Sequence, residues 1–294
     1  MDIISVDQFD RTFIENLIAC ADYYRYEYDP TKHSEPLRGK VLANLFYEPS
    51  TRTSSSFYSA MVRLGGSVIP INEVRYSSVV KGEKLEDTVR TLSCYADVIV
   101  LRHSEVGAAQ RAADVIDVPV INAGDGTGEH PTQALLDLYT IFKERGSLDG
   151  LHVVMVGDLL HGRTVHSLSK LLRLYGAKIS FVAPDVLQIP DQYIMAGETK
   201  YSRLDDVIAT ADVVYMTRVQ KERFATTGTE TADDYGITVD HMAAAKSDMV
   251  LMHPLPRVTE IPAEIDPDPR AAYFRQMRHG LFMRMALLAH VVLR

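Results

Sequence analysis

Short apolar runs alternate with helix-length segments along the chain, and this alternation restricts the fold more than any other feature. Near-continuous apolar runs between helices are typical of parallel strands that are buried on both faces. The sequence therefore predicts an α/β protein with two doubly wound parallel-sheet domains. The eight runs, four in each half, are KVLANLFYE, SVIPI, ADVIVLR, VPVINAG, LHVVMVGD, KISFVAP, ADVVYMT and DMVLMHPLP.

The boundary between the two domains is predicted near KERGSLDGLH, where a helical segment stops at a glycine before the next apolar run. A chain of 294 residues is long enough for two domains. This places the first domain at 1–145 and the second at 146–273. The remaining segment, about 274–294, predicts an amphipathic helix that packs on the core. Its most apolar part, GLFMRMALLAHVVLR, is too short to span a bilayer and is interrupted by Arg284 and His290.

Composition and charge exclude several classes of partner. The net charge is -8 and the 31 Lys and Arg residues are scattered, which argues against a nucleic-acid-binding protein. The N-terminal segment MDIISVDQFD lacks the basic and apolar regions of a signal peptide. The two cysteines, Cys20 and Cys94, form no CxxC motif, and both are expected to be buried. We therefore expect a cytoplasmic protein with no membrane partner.

The stretch FYEPSTRTSSSF follows the first apolar run and leads into a helical pattern. Residues 50–53 then lie at a helix N-terminus, where unpaired N–H groups and the helix dipole favour an anion. Arg52 adds a planar guanidinium that matches phosphate oxygens. A capped helix beside a solvated arginine explains the same residues equally well. Taken alone, the stretch leaves both interpretations open.

The stretch INAGDGTGEHPTQALLDL has the same arrangement of apolar run, loop and helix, with Pro131 suited to the first turn. His130 and Gln133 lie on one side of this helix start. A histidine at a helix N-terminus tends to be neutral and can donate a hydrogen bond to a carbonyl group. A surface histidine that caps the helix is the alternative, and the short motif alone favours that alternative.

Three motifs in this order, STRT, HPTQ and HPLPR, resemble the aspartate/ornithine carbamoyltransferase family. The resemblance continues through KGEKLEDT, RHSEVGAAQ, VGDLLHGRTVHSL and YMTRVQKER, and it covers the chain from about residue 40 to the end. It implies a carbamoyl phosphate domain, an amino-acid domain, and a C-terminal helix that packs back on the first domain. It also implies a homotrimer that works in pyrimidine biosynthesis without a cofactor or metal.

The resemblance implies a role for each matching residue. Four residues would act directly in catalysis: Arg52, Thr53, Arg102 and His130. Carbamoyl phosphate would be bound by Ser50, Thr51, Arg52, Thr53, Ser77, Lys81, Arg102, His130, Gln133 and Leu255. Aspartate would be bound by Lys81, Arg163, Arg218, Gln220, Leu255 and Pro256. Lys81 would come from a neighbouring subunit, so that active sites are shared between chains.

Aspartate is favoured over ornithine because the chain has HPLP where ornithine enzymes usually have HCLP, and because it lacks an SMG loop. Paired cations such as Arg163 and Arg218 suit a dicarboxylic substrate. Action on another amino acid and a noncatalytic metabolite-binding relative are the alternatives. His161 departs from the family, in which tyrosine is common at this position. Regulatory or dihydroorotase partners are left open.

Two short motifs point to other classes of enzyme. The segment GDLLHGRT matches a P-loop except that Arg163 replaces the lysine, which disfavours an NTPase. The segment GDGTGE resembles part of a dinucleotide-binding motif, but its last glycine falls one position early. Neither alternative explains the remaining motifs.

Overall fold

The computed structural model describes residues 1–29, 35–72, 82–218 and 235–293. The chain forms two compact units. The first comprises Met1–Tyr139 and Arg278–Arg294, and the second comprises Thr140–Met277. Within the described part of the chain, no helix is long and apolar enough to span a membrane.

The first unit is built on a four-stranded parallel sheet with the strand order β2-β1-β3-β4. Strands β1 and β3 are neighbours in this sheet although they are not consecutive in the chain. This is a topological switch point, where ligands of open α/β sheets bind beyond the carboxyl ends of the strands. The strands are β1 Val41–Phe46, β2 Ser67–Ile71, β3 Val98–His103 and β4 Val120–Asp125.

Helices follow these strands as the sequence pattern predicts. In α2, Thr51–Arg63, and at its C-cap Leu64, the buried residues Phe57, Ala60, Met61 and Leu64 recur at helical spacing and give the helix one apolar face. Gly65 follows with φ 86°, a left-handed conformation that commonly ends a helix. The other helices that begin in this unit are α1 Arg11–Tyr26, α3 Leu85–Ser93, α4 Ala108–Ala113 and α5 Pro131–Arg145.

The C-terminal helix α8, Tyr273–Val292, packs on the first unit through its residues beyond 277. Arg284 is buried, and its Nη1 donates a hydrogen bond to the Ser56 hydroxyl of α2 at 2.9 Å. The His290 ring packs against Phe13 of α1 in a T-shaped arrangement, with 5.0 Å between ring centroids. The predicted return of the last helix to the first domain is confirmed.

The second unit contains a five-stranded parallel sheet with the order β7-β6-β5-β8-β9. Its switch point lies between β5 and β8. All eight predicted runs form strands, and the predicted fold class is confirmed; β7 is an addition. The strands are β5 His152–Val156, β6 Lys178–Val182, β7 Thr199–Tyr201, β8 Val213–Met216 and β9 Val250–Met252, and the helices are α6 Arg163–Arg173 and α7 Val239–Ala244.

The prediction that both cysteines are buried is wrong. Cys94 is exposed at the C-terminal end of the short helix α3, where its thiol donates to the Arg90 carbonyl oxygen at 3.4 Å. Cys20 on α1 is half-buried, and this burial raises the pKa of its thiol.

Candidate active site

Arg52 and its neighbours lie at the carboxyl edge of the first sheet, directly after β1. Thr51 begins α2, and the preceding Ser50 makes no side-chain capping hydrogen bond. Thr53 is buried, whereas Arg52 is exposed, and partial burial still lowers the pKa of its guanidinium. These hydroxyl residues, the first-turn N–H groups and Arg52 therefore all belong to the N-terminal end of α2, which is its positive end.

Asn44 fixes the start of α2 against the sheet. Its Nδ2 donates to the Ser54 hydroxyl at 3.0 Å and to the Ser54 carbonyl oxygen at 3.1 Å. The Ser54 hydroxyl in turn donates to Asn72 Oδ1 at 2.6 Å. The sequence analysis missed Asn44, although one polar residue in the apolar run VLANLF is a signal for such a role.

Arg102 lies near the end of β3, on the other side of the switch point. Its Nε is 3.4 Å from Glu48 Oε2, and its Nη1 donates to the Ala123 carbonyl oxygen at 3.4 Å. The Tyr47 N–H donates to the Arg102 carbonyl oxygen at 2.8 Å. These contacts connect the carboxyl ends of β1, β3 and β4, so Arg52 and Arg102 follow adjacent strands at one sheet edge.

Asp125 organises the loop that leads from β4 to α5. Its buried carboxylate accepts the N–H groups of Gly107 and Glu129, each at 2.8 Å. A side chain at Gly128 would lie 2.9 Å from the same carboxylate, so the loop requires a glycine there. The sequence analysis did not identify Asp125, whose hydrogen bonds fix the residues immediately before His130.

His130 and Gln133 are both buried at the start of α5. The His130 carbonyl oxygen accepts the N–H groups of Gln133 and Ala134 at 3.1 Å, so His130 caps the helix with its backbone. The Gln133 side-chain amide donates to Asp137 Oδ1 at 2.9 Å, which leaves Gln133 Oε1 as the acceptor end. Because His130 is only 4% exposed, the interpretation as a surface histidine is wrong.

The second sheet carries arginines at its own switch point. Arg163 begins α6 after β5, and Arg218 follows β8, the strand next to β5. Both are half-buried. The Thr217 hydroxyl donates to the Val156 carbonyl oxygen at 3.0 Å and joins the ends of the two strands. Arg163 and Arg218 therefore lie just beyond the ends of two neighbouring strands.

The turn before Arg163 is held by Asp158, which is 1% exposed. Asp158 Oδ1 accepts the His161 N–H at 3.0 Å and lies 3.2 Å from the His161 Nδ1. His161, the departure from the family pattern, is therefore bonded to the carboxylate that shapes this turn.

Gly157 allows β5 and β8 to end close together. It adopts φ 117°, and an added Cβ would lie 2.3 Å from the Thr217 carbonyl oxygen. We expect Gly157→Ala to lower the free energy of unfolding by about 2–4 kcal/mol through backbone strain and overpacking. Gly176→Ala is the control, because Gly176 has φ 63° but no atom within 4 Å of its added Cβ, and its expected loss is about 1 kcal/mol. Urea unfolding measures both, and equal losses would contradict the close approach.

The HPLPR segment follows β9 and contains a residue in a left-handed conformation, Leu255, with φ 57°. The Leu255 N–H donates to His253 Nδ1 at 2.8 Å. His253 Nε2 lies 2.7 Å from Glu260 Oε1, and both side chains are buried. The sequence analysis named Leu255 and Pro256 but missed Glu260.

Models of one protein family match nearly the whole chain. Residues 1–143 match the model described as aspartate/ornithine carbamoyltransferase, carbamoyl-P binding domain, and residues 149–291 match the Asp/Orn binding domain of the same family. The chain belongs to the aspartate/ornithine carbamoyltransferase family. The resemblance stated from the sequence motifs is thereby confirmed.

Several members of the carbamoyltransferase family are similar over the full chain. The aspartate carbamoyltransferase catalytic subunit of Methanothermobacter thermautotrophicus is 49% identical over 98% of this chain and 94% of the relative. The multifunctional protein pyr1-3 of Dictyostelium discoideum is also 49% identical over 98% of this chain, but the chain spans only 13% of that relative. The multifunctional protein CAD of Squalus acanthias is likewise matched over 13% of its length.

Solved carbamoyltransferase structures share the fold. Aspartate transcarbamoylase from Trypanosoma cruzi, in complex with carbamoyl aspartate and phosphate, superposes with a TM-score of 0.93. The two sequences are 46% identical, and the match covers 99% of this chain and 95% of the other. The same enzyme in complex with N-(phosphonacetyl)-L-aspartic acid gives a TM-score of 0.91 at 45% identity.

Three residues with roles implied by the carbamoyltransferase family, Ser77, Lys81 and Gln220, lie outside the described residues. Their roles stay predictions. Among the described residues, no group of three or more His, Cys, Asp or Glu side chains is arranged to hold a metal ion.

Proposed function

We propose that the chain transfers the carbamoyl group of carbamoyl phosphate to the amino group of L-aspartate, which gives N-carbamoyl-L-aspartate and phosphate. One observation carries this proposal: each sheet has arginines at or just beyond the carboxyl ends of the two strands that flank its switch point. These are Arg52 and Arg102 in the first unit, and Arg163 and Arg218 in the second. Both proposed substrates are anions, and planar guanidinium groups suit phosphate and carboxylate oxygens.

In the first unit, Arg52, Arg102 and the start of α2, Ser50 to Thr53, would bind the phosphate. His130 would donate to the carbamoyl carbonyl oxygen. Gln133 suits the carbamoyl NH₂ group, since its own amide nitrogen is engaged by Asp137 and its oxygen is the acceptor end. This assigns carbamoyl phosphate binding to the domain at 1–145, together with the last helix.

The reaction requires positioned donors more than a protein base. The amino nitrogen of aspartate attacks the carbamoyl carbon, the carbon–oxygen bond to phosphate breaks, and the amine proton leaves with the phosphate. Negative charge develops on the carbonyl oxygen after the attack and before the phosphate leaves. Hydrogen-bond donors that already point at this oxygen stabilise the charge. Arg52, Thr53 and His130 are the proposed donors.

In the second unit, Arg163 and Arg218 would each bind a carboxylate of aspartate, with Leu255 and Pro256 adding backbone contacts. This assigns aspartate binding to the domain at 146–273. Aspartate is preferred to ornithine because an ornithine side chain would need acidic partners for its ammonium group. Relatives named as aspartate carbamoyltransferases at 46–49% identity support the same choice.

The purified chain is expected to form N-carbamoyl-L-aspartate from carbamoyl phosphate and L-aspartate after treatment with a chelator and without added nucleotide. Product formation is measured with labelled carbamoyl phosphate. L-ornithine in place of aspartate and ATP in place of carbamoyl phosphate are the comparison reactions. Efficient carbamoylation of ornithine, or ATP hydrolysis without product, would contradict the proposal.

The proposed assembly is a homotrimer in which Lys81 of one chain serves the site of its neighbour. This rests on the family resemblance and on the need for a further cation beside two anionic substrates. Regulatory or dihydroorotase partners stay open. Location in the cytoplasm stays a prediction, since two plant relatives are named as chloroplastic.

A mixing experiment tests the shared site. Arg52→Ala and Lys81→Ala chains are each expected to be nearly inactive alone, whereas mixed trimers can form a site with an intact residue from each chain. Dissociating and reassembling the two variants together should restore measurable activity. Verified mixed trimers that stay as inactive as their parents would show that Lys81 serves its own chain.

A further inference from the structure

His253 and Glu260 form a buried pair beside the HPLPR segment, with exposed fractions of 1% and 6%. His253 Nδ1 accepts the Leu255 N–H at 2.8 Å, so this nitrogen carries no proton. The imidazole proton of this tautomer is therefore on Nε2, which donates to Glu260 Oε1 at 2.7 Å.

Glu260 is itself held on several sides. Its Oε2 accepts the N–H groups of Val258 and Thr259, each at 3.1 Å, and its carbonyl oxygen accepts the Ile237 N–H at 2.9 Å. Burial alone would raise the pKa of Glu260, but the hydrogen bonds from His253 and from backbone N–H groups lower it to about 2. Glu260 is therefore a fixed carboxylate acceptor at neutral pH.

The backbone of Leu255 needs such support. Its φ of 57° lies in the left-handed region, which is unfavourable for a residue with a Cβ atom. The hydrogen bond from its N–H group to His253 Nδ1 stabilises this conformation. Only the tautomer with the proton on Nε2 can accept that bond, and Glu260 favours this tautomer.

We propose that Glu260 and His253 are positioning residues: Glu260 fixes the tautomer of His253, and His253 Nδ1 holds Leu255 so that the backbone of Leu255 and Pro256 is placed to contact the substrate. This inference rests on the proposed function, and it deepens it by naming residues that do not themselves touch a substrate.

Two substitutions of His253 separate positioning from stability. An asparagine at 253 places its Oδ1 near the position of Nδ1, so it can still accept the Leu255 N–H, but it is too short to reach Glu260. A glutamine places its amide near the position of Nε2, so it can still donate to Glu260 but offers no acceptor to Leu255. His253→Asn leaves the buried Glu260 without its side-chain donor and is expected to be the less stable variant.

The order of activity is expected to be the reverse of the order of stability. His253→Asn should keep a kcat within about threefold of the parent, whereas His253→Gln should lose about tenfold or more, the effect of one lost hydrogen bond. The Kd of inorganic phosphate should change in neither variant. If His253→Gln is at least as active as His253→Asn, the proposal is wrong.

Asp212→Asn is the matched control, because Asp212 also anchors the second unit but lies before β8, at the opposite sheet edge. It accepts the His152 N–H at 2.8 Å and bonds Lys246 Nζ at 2.8 Å. This variant should lose stability with kcat unchanged. A loss of kcat that tracks its loss of stability would show that general destabilisation explains the His253 variants.

Two further measurements do not depend on the His253 variants. Glu260→Gln should lower kcat about tenfold with the Kd of inorganic phosphate unchanged, and a parent-like kcat would overturn the role of Glu260. In the parent protein, ¹⁵N NMR of labelled histidine should show the His253 proton on Nε2, and a proton on Nδ1 would overturn the proposal. Failure of the proposed function itself has a different signature, since the parent would then form no carbamoyl aspartate.

Discussion

Arg52→Ala is expected to lower kcat/KM for carbamoyl phosphate by about 10²–10³-fold. The substitution removes charge-assisted hydrogen bonds to the phosphate, and it also removes a donor to the oxygen on which charge develops in the transition state. Binding and turnover should therefore fall together. Steady-state kinetics with both substrates varied, together with calorimetry of inorganic phosphate binding, measure the two effects.

Three variants serve as comparisons for Arg52→Ala. Arg90→Ala removes an exposed arginine of α3 that pairs with Asp87 at 3.4 Å, and it should leave kcat/KM within about twofold because exposed ion pairs contribute little. Arg52→Lys keeps the charge but not the planar guanidinium group. Its kcat/KM should lie between those of the parent and of Arg52→Ala. Arg218→Ala should mainly raise KM for aspartate. Equal effects of Arg52→Ala and Arg218→Ala on both substrates would contradict the division of roles between the two units.

Apolar patterning predicts most of the fold, because a buried parallel strand needs apolar residues on both faces and little else. The run VLANLF forms β1, and the spacing of Phe57, Ala60 and Met61 forms the buried face of α2. The pattern fails at β7, Thr199–Tyr201, where the three residues TKY are exposed or half-buried. An edge strand of this length carries no apolar run to detect.

The candidate site likewise contains residues that the sequence predicts and residues that it does not. Residues that follow a strand at a helix start, such as Arg52 and His130, are found from the sequence because their chemistry and their place beside the helix start are both local. Asp125 and Glu260 were missed because their roles depend on their contacts in the folded chain. Asp125 bonds Gly107, 18 positions earlier, and Glu260 acts through a histidine whose tautomer appears only in the hydrogen-bond geometry.

His130→Ala is expected to lower kcat by about 10²–10³-fold while the Kd of inorganic phosphate stays within a few-fold of the parent. The imidazole is buried directly before α5, on a loop held by Asp125, so it is fixed before the substrate binds. A donor that is already in place needs no reorganisation as charge develops on the carbonyl oxygen, and its loss therefore affects the transition state more than the ground state. Rapid-mix kinetics at saturating substrate measure kcat for the chemical step.

Thr132→Val is the matched control, since Thr132 lies in the first turn of α5, two residues after His130. It is 1% exposed and has a hydroxyl oxygen without a hydrogen-bond partner in the described part of the chain. This nearly isosteric change at the same depth should leave kcat at the parent value. The kcat of His130→Gln should lie between those of the parent and of His130→Ala, because the glutamine amide restores a hydrogen-bond donor in a different position. If Thr132→Val loses as much activity as His130→Ala, packing at the start of α5 explains the effect. If His130→Ala instead weakens phosphate binding as much as it lowers kcat, His130 contacts the phosphate and the oxyanion depends on Arg52 and Thr53.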